Sequence, residues 1–189
     1  MYEILIIVLG LVLLEWQLRR LEAGASSPLA PKRSDAKLSQ MSDYAARLYS
    51  EKKWLAAEKA YLSVLKLDHK NVPAYSHLGI IYSTQKNMTD AIECFQIASR
   101  LHPSGTTLHN LGLAYLDNKN YIKAIAAFEK SIMFEPTAQR YVGLSKAHQK
   151  LHNRPEAVAA LKKAAELDSS SKITQLLEQA ESEAKAGAS

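Results

Sequence analysis

The sequence predicts an all-α fold: an α-solenoid of about four helix hairpins with a C-terminal capping helix, preceded by an N-terminal hydrophobic helix. Three observations lead to this prediction. The chain repeats itself with a period of about 34 residues. Beyond the last repeat, apolar residues recur at the spacing of one helix face. At the start of the chain, Ile4 to Leu14 form an unbroken apolar run.

We interpret residues 1–21 as a transmembrane or signal-anchor helix. The apolar run is too short alone, since it reaches only about 17 Å across a hydrocarbon core of roughly 30 Å. Met1 to Leu18 would reach about 27 Å and would place Tyr2 and Trp16 at opposite interfaces. The predicted anchor consists of apolar side chains and one tryptophan: Ile4, Leu5, Ile6, Ile7, Val8, Leu9, Leu11, Val12, Leu13, Leu14 and Trp16.

Other interpretations of this segment stay open. A cleaved secretory signal would suit the length of the run, and Ala23 and Ala25 form an A-x-A-like site. Against it, the segment lacks a basic start, and Arg19 and Arg20 lie where a cleavage region is normally neutral. A hydrophobic helix docked on protein is a second alternative. An interfacial helix is the third, although the run has no polar face.

The bases that flank the run predict its orientation. Arg19, Arg20, Lys32 and Arg33 all follow the run and none precedes it, so the positive-inside rule places the rest of the chain in the cytoplasm. We therefore expect a single-pass membrane protein with a cytoplasmic repeat domain, a periplasmic or secreted protein being the alternative. Residues 22–37 contain small residues, serines and prolines without an apolar period, which is typical of a linker.

The overall charge argues against nucleic acid as the partner. Lys and Arg number 24 against 19 Asp and Glu, a net charge of +5. Part of this small excess lies in residues 19–37, where five bases accompany two acids. A surface that follows phosphates needs a larger and more continuous basic patch.

The repeat is marked by four alanines at nearly equal spacing: Ala57, Ala91, Ala124 and Ala157. One helical turn after each alanine stands a bulky apolar residue: Tyr61, Phe95, Phe128 and Leu161. At a fixed distance before each alanine stands a small residue: Ala45, Gly79, Gly112 and Ser145. Small residues let two helices approach closely, and the bulky residue fills the space beside the contact. Each unit is therefore predicted to be a helix hairpin that stacks on its neighbours.

We place the hairpins at about 38–71, 72–104, 105–137 and 138–171. Residues 172–186 follow as a capping helix, because apolar residues recur on one side of it at helical spacing. These are Ile173, Leu177, Ala180 and Ala184.

The units resemble the tetratricopeptide repeat, whose pattern is W-x2-L-G-x2-Y, A-x3-F-x2-A and a final P. The second unit carries Tyr75, Leu78, Gly79, Tyr82, Ala91, Phe95, Ala98 and Pro103 at that spacing. The third carries Leu108, Leu111, Gly112, Tyr115, Ala124, Phe128, Ser131 and Pro136. The first unit departs from the pattern at Met41 and His69, and the fourth departs at Ser145, His148 and Ser169. The resemblance implies that residues 38–186 form a tetratricopeptide-repeat domain.

No catalytic or cofactor motif is present, so we expect neither enzymatic activity nor a cofactor. The sequence contains no Gly-rich phosphate loop, no cysteine pair and no H-E-x-x-H motif. His148 and His152 are one helical turn apart, as metal ligands on a helix can be, but no acid or cysteine is placed to complete a ligand set. Cys94 is interpreted as a small core residue, and a lone cysteine fits a reducing compartment. We expect no metal site.

The resemblance also implies a partner-binding site, because in this family the first helices of the hairpins line a concave groove that binds peptides. Asn110 matches the position that commonly bonds the backbone of the bound peptide, and its amide can both donate and accept. The residues that grip a C-terminal carboxylate in some members are replaced here by Ser76, Ile80, Gln139 and Gly143, so such a clamp is not predicted. Further groove candidates are Ser83, Asp117 and Gln139. The main groove candidates are Ser76, His77, Ile80, His109, Asn110, Leu113, Leu116, Val142, Lys146 and Lys150.

The predicted function is that of a membrane-anchored adaptor or scaffold. Its partner would be a protein that supplies a peptide or an amphipathic helix with an acidic side, because an apolar strip in the groove is flanked by lysines. Two alternatives stay open: an exported repeat-containing assembly factor after signal cleavage, and a nucleic-acid-binding module. The sequence does not predict an oligomeric state.

Overall fold

The computed structural model describes residues 33–186, which form nine α-helices and no β-strand. The chain divides into two compact units after Ser39. Of the first unit the structure describes residues 33–39, which are helical. The helices are α1 Arg33–Ser50, α2 Trp54–Leu67, α3 Val72–Thr84, α4 Met88–Leu101, α5 Gly105–Asp117, α6 Tyr121–Phe134, α7 Ala138–Lys150, α8 Arg154–Leu167 and α9 Ser171–Ala186.

The all-α prediction is confirmed for the described part of the chain. The predicted anchor at 1–21 and residues 22–32 of the predicted linker lie outside it. Within residues 33–186, no helix has both the length and the apolar character needed to cross a membrane. The linker was predicted to extend to residue 37, but α1 begins at Arg33, so the end of that segment is helical.

The same turn closes each hairpin. In the third hairpin the Lys119 N–H donates to the Leu116 carbonyl at 3.0 Å, and the Asn120 N–H donates to the Tyr115 carbonyl at 2.8 Å. This pair of bonds is the Schellman motif, which needs a residue in the left-handed region and usually places glycine there. Here the four left-handed residues have φ between 57° and 63° and carry side chains: Lys52, Lys86, Lys119 and His152.

Capping side chains start several of the helices. Asn71 accepts a hydrogen bond from the Ala74 N–H at 3.0 Å and begins α3, and Ser104 accepts one from the Thr107 N–H at 3.1 Å and begins α5. Such bonds satisfy backbone donors that the first helical turn leaves free. The first helix of each central hairpin therefore begins at a fixed residue.

Glycine and phenylalanine hold the two helices of the central hairpins together. A Cβ atom at Gly79 would lie 2.6 Å from Cε1 of Phe95, and one at Gly112 would lie 2.8 Å from Cδ1 of Phe128. The ring of Phe128 also faces the next hairpin, because a Cβ atom at Gly143 would lie 2.6 Å from its Cε1. Both phenylalanines are buried. The close approach that the sequence predicts is present in the two central hairpins, and Phe128 extends it to the fourth hairpin.

The hairpins stack so that their first helices lie on the inner side. Helix α3 contacts α5, and α5 contacts α7, whereas the second helices α4, α6 and α8 make no comparably extensive contacts among themselves within residues 33–186. The side on which helices approach each other most closely is the concave side of a curved array. The first helices therefore line a concave groove, and the second helices form the convex face.

Helix α9 repeats the position of a first helix and is the last helix that the structure describes. Ile173 and Ala180 are buried, as are Arg140 and Ala147 at the equivalent positions of α7, one repeat earlier. At the positions that correspond to Gly112 and Tyr115, however, α9 carries glutamates: Glu178 and Glu181. Glu181 forms an ion pair with Lys162 of α8 at 3.3 Å. Glu178 is exposed at the position where Gly112 contacts Phe128 of the following helix, so a helix that followed α9 could not pack equally closely there.

We predict that Gly112→Leu lowers the free energy of unfolding by about 1 to 3 kcal/mol or more, because the new side chain must displace the ring of Phe128. Urea unfolding followed by circular dichroism measures the change. Ala159→Leu, on the exposed side of α8, is the matched control and should leave stability nearly unchanged. Equal stability of the two variants would contradict the packing described for Phe128.

Candidate functional site

A cleft of about 260 Å³ opens between α3 and α5 on the concave side of the array. It brings together three of the main groove candidates, Ile80, Asn110 and Leu113, and two of the further candidates, Ser83 and Asp117. The other residues that line the cleft were not among the predicted groove residues. Thr84 lies one turn after Ile80, and the remaining two belong to the core between the helices: Phe95 and Ala114.

The cleft combines apolar walls with one unengaged amide. Leu113 is 39% exposed although it is a large apolar residue, and Ile80 is half-buried on the facing helix. The hydroxyl of Thr84 donates to the Ile80 carbonyl at 2.9 Å, so it is already engaged within α3. The Asn110 side chain makes no hydrogen bond to any residue that the structure describes, and it is half-buried at the cleft. Its donor and acceptor are both available to a bound molecule.

His77 and His109, which the sequence places in the groove, serve mainly as packing residues. The His77 ring stacks on Tyr61 with 5.0 Å between centroids and lies 4.6 Å from the ring of Tyr49. His109 is only 8% exposed and lies against Phe128, with 5.5 Å between ring centroids. Little of the His109 ring can therefore touch a partner.

Burial favours the neutral form of both histidines. Desolvation lowers the pKa of His77. The pKa of His109 is lowered first by desolvation and then by the charge of Arg140. Neither ring nitrogen of His109, nor Nδ1 of His77, has a hydrogen-bond partner among residues 33–186. Protonation of either ring would place an unpaired charge inside the array.

The other predicted groove residues have different environments. Leu116 is half-buried and packs against the central core cluster, which includes Phe95 and Phe128. Ser76 and Val142 are half-buried. Lys146 and Lys150 are exposed on α7 and form no ion pair with the described residues.

A buried arginine positions α7 against α5, and the sequence analysis did not identify it. Arg140 is 7% exposed and forms an ion pair with the carboxylate of Glu135 at 3.2 Å, while it also donates to the Glu135 carbonyl. A Cβ atom at Gly105 would lie 2.8 Å from the guanidinium, so only glycine leaves room for it. The Ser131 hydroxyl donates to the Gly105 carbonyl at 2.7 Å beside it. These contacts join the start of α5 to the junction of the third and fourth hairpins.

The remaining reactive side chains show no constellation for catalysis within residues 33–186. Burial raises the pKa of the Cys94 thiol to about 12, with smaller contributions from Glu93 and Asp90, so the thiol stays protonated at neutral pH. His148 is half-buried, and His152 is exposed in the left-handed position of a turn. Within the described chain, no group of three or more His, Cys, Asp or Glu residues is placed to hold a metal ion.

Stacked helix hairpins with a groove on their inner side define the class of α-solenoid proteins. Within this class, residues 72–103 and residues 105–138 each match a family model described as tetratricopeptide repeat. The chain therefore contains tetratricopeptide repeats, as the spacing of its glycines, alanines and aromatic residues predicts. No curated protein matches the sequence.

Several solved structures have the same fold. MamA from Desulfovibrio magneticus RS-1, residues 41 to the end, has a TM-score of 0.75 at 18% identity, over 82% of this chain and 88% of that one. YrrB, described as a TPR protein with an unusual peptide-binding site, has a TM-score of 0.70 at 15% identity, over 82% and 86%. The TPR domain of Arabidopsis OM64 has a TM-score of 0.55 at 17% identity, over 58% and 93%. At these identities the likeness concerns the fold.

We predict that acid destabilises the array through His77 and His109. Because their pKa values in the folded chain are lower than the ordinary 6.5, the unfolded chain binds more protons below that pH, and the free energy of unfolding falls as the pH decreases. Urea unfolding at about pH 7 and about pH 5.5 measures this loss. The loss should be smaller in His77→Gln/His109→Gln than in His102→Gln, whose histidine is exposed. An equal pH dependence in both variants would contradict the assignment.

Proposed function

We propose that this protein is a membrane-anchored adaptor that binds a segment of a partner protein, a peptide or an amphipathic helix, in its concave groove. One observation carries the proposal: the Asn110 amide, without a partner among residues 33–186, lies in a cleft between the apolar side chains of Ile80 and Leu113. No chemical reaction is part of this function.

A polypeptide segment suits the chemistry of the cleft. A peptide group that leaves water needs both a donor and an acceptor, and a single asparagine amide supplies both. Ile80 and Leu113 offer apolar contacts for side chains of the segment. At about 260 Å³ the cleft is smaller than the pockets of roughly 300 to 1,000 Å³ that usually enclose small molecules. It is also open to solvent, which allows a segment to continue along the groove at both ends.

The charges near the groove support a segment with an acidic side. Lys146 and Lys150 lie one turn apart on α7, are exposed, and have no ion-pair partner in the part of the chain that the structure describes. Asp117 lies at the end of the cleft on α5. Exposed pairs contribute only about 0.2 to 1 kcal/mol each. The lysines would therefore orient the segment and speed its association more than they would tighten binding.

The fold shared with YrrB supports a peptide as the class of ligand. YrrB has a peptide-binding site according to its description, and its chain and this one superpose over most of their lengths. The residues that we propose for binding come from the geometry of this chain alone.

The membrane part of the proposal is supported by the sequence of residues 1–21. The apolar run from Ile4 to Leu14, the flanking Tyr2 and Trp16, and the bases after it are what a single N-terminal anchor requires. An adaptor held in this way would bring its partner to the cytoplasmic face of the membrane.

We predict that Asn110→Ala combined with Leu113→Asp abolishes partner binding without loss of helix content. A photo-reactive amino acid in place of Ser83, on the wall of the cleft, should crosslink the partner in cells that express the full chain. The adduct should disappear in the double variant, because the amide and one apolar wall are lost. Leu55→Asp, an exposed leucine on α2, is the matched control and should leave the adduct unchanged. An adduct that persists in the double variant would place the partner elsewhere on the array.

We predict that the full chain stays in the membrane fraction after alkaline carbonate extraction. Leu9→Arg/Val12→Arg should release it, because two charges in the middle of the run make insertion unfavourable by several kcal/mol. Sequencing of the N-terminus of the mature protein is the decisive companion measurement. A mature chain that begins near Ser26 or Ser27 would instead identify a cleaved signal and an exported protein.

A further inference from the structure

A second cleft, of about 220 Å³, lies on the convex face between α4 and α6. Leu108, Leu111 and Tyr115 of α5 form its floor, and Lys123 and Lys130 of α6 form one rim. Residues two apart on a helix point about 200° from each other. Leu111 therefore faces this cleft while Leu113 faces the concave groove, and the two sites lie on opposite sides of α5.

The floor is apolar and held in place. Leu108, Leu111 and Tyr115 are each less than a tenth exposed. The Gln96 side chain of α4 donates to the Tyr115 hydroxyl at 2.6 Å, which fixes the aromatic ring across the bottom. Ala126, between the two lysines on α6, is small and leaves the cleft open.

The rim carries two positive charges that no carboxylate in the cleft neutralises. Lys123 and Lys130 lie two helical turns apart, which is about 10.5 Å along the axis of α6. Both are exposed, no carboxylate lines the cleft, and neither lysine forms an ion pair within residues 33–186. The Lys123 ammonium lies 5.8 Å from the centroid of the Tyr115 ring. The site therefore presents two positive charges above an apolar floor.

This pair of lysines is not part of the repeat framework. At the corresponding positions of the preceding repeat, α4 carries Asp90 and Ile97. At those of the following repeat, α8 carries Glu156 and Lys163, and Lys163 is already paired with Glu166 at 2.8 Å. Among the helices α4, α6 and α8, only α6 offers two lysines without acidic partners at this face.

We propose that the cleft between α4 and α6 binds an acidic amphipathic helix of a partner protein, with one apolar side chain inserted between two carboxylates two helical turns apart. The carboxylates of such a helix are about 10.5 Å apart and match the two lysines in either direction. Met133, which is 84% exposed and lies one turn beyond Lys130 on the same face of α6, gives the helix a further adaptable contact. This site is separate from the concave groove, so the array can hold two protein segments at once.

A designed peptide tests this proposal. The probe is a fluorescein-labelled helical peptide of about 18 residues with two glutamates seven positions apart and a leucine between them. Its binding to the full chain is measured by fluorescence anisotropy. Lys123→Glu/Lys130→Glu should weaken binding at least about tenfold, since attraction becomes repulsion at two sites. Lys59→Glu/Lys66→Glu, with the same spacing on the exposed side of α2, is the matched control and should bind as the unmodified chain does.

Two further binding measurements distinguish docking in the cleft from general attraction between opposite charges. A peptide with lysines in place of its glutamates should regain affinity for Lys123→Glu/Lys130→Glu. Ala126→Phe fills the mouth of the cleft without a change of charge and should also weaken binding. Circular dichroism confirms that each variant is folded.

Three results would overturn the proposal. The first is absence of saturable binding up to about 1 mM peptide. The second is an equal loss of affinity in the control variant on α2. The third is loss of binding in Asn110→Ala/Leu113→Asp but not in Lys123→Glu/Lys130→Glu, which would assign the peptide to the concave groove and leave the proposed adaptor function intact.

Discussion

The array depends on one packing arrangement, an aromatic ring set against glycine. Phe128 lies between Gly112 of its own hairpin and Gly143 of the next, and neither position has room for a Cβ atom. Within a hairpin this contact sets the distance between the two helices, and between hairpins it sets the distance from one first helix to the next. Close packing of this kind transmits small displacements, since the interior has no spare volume. The width of the concave groove is therefore fixed by a side chain that is buried beneath it.

The same helices have to pack and to bind, and the structure divides these tasks among their residues. Leu116 and His109 pack against core residues and contribute to the stack, whereas Asn110, Leu113 and Asp117 line the cleft. A first helix has about three sides in use, toward its own second helix, toward the preceding hairpin and toward the next. The side chains that remain free to contact a partner form only a narrow stripe along the helix. Specificity of the groove therefore rests on few positions per hairpin, and several hairpins must contribute to one binding site.

The repeat period and the contacts within each hairpin could be predicted from the sequence, because they rest on local spacing. Gly79 with Phe95 and Gly112 with Phe128 are examples. Contacts between hairpins could not be predicted in this way. The buried Arg140 packs against Gly105 of the preceding hairpin, and the local spacing of neither residue indicates this contact. The left-handed backbone conformation of Lys119 could not be predicted either, because the usual sequence signal for such a turn is a glycine.

Because α9 occupies the position of a first helix, hairpins could be added before it without a change in α9 itself. Its buried Ile173 and Ala180 occupy the positions that Arg140 and Ala147 occupy in an earlier first helix, while Glu178 is exposed where the earlier helices carry a small residue. A duplicated repeat inserted before Ser171 would meet familiar neighbours on both sides. Gene duplication could therefore lengthen this protein by whole hairpins without any change to α9, and each added hairpin would extend the groove by one more first helix.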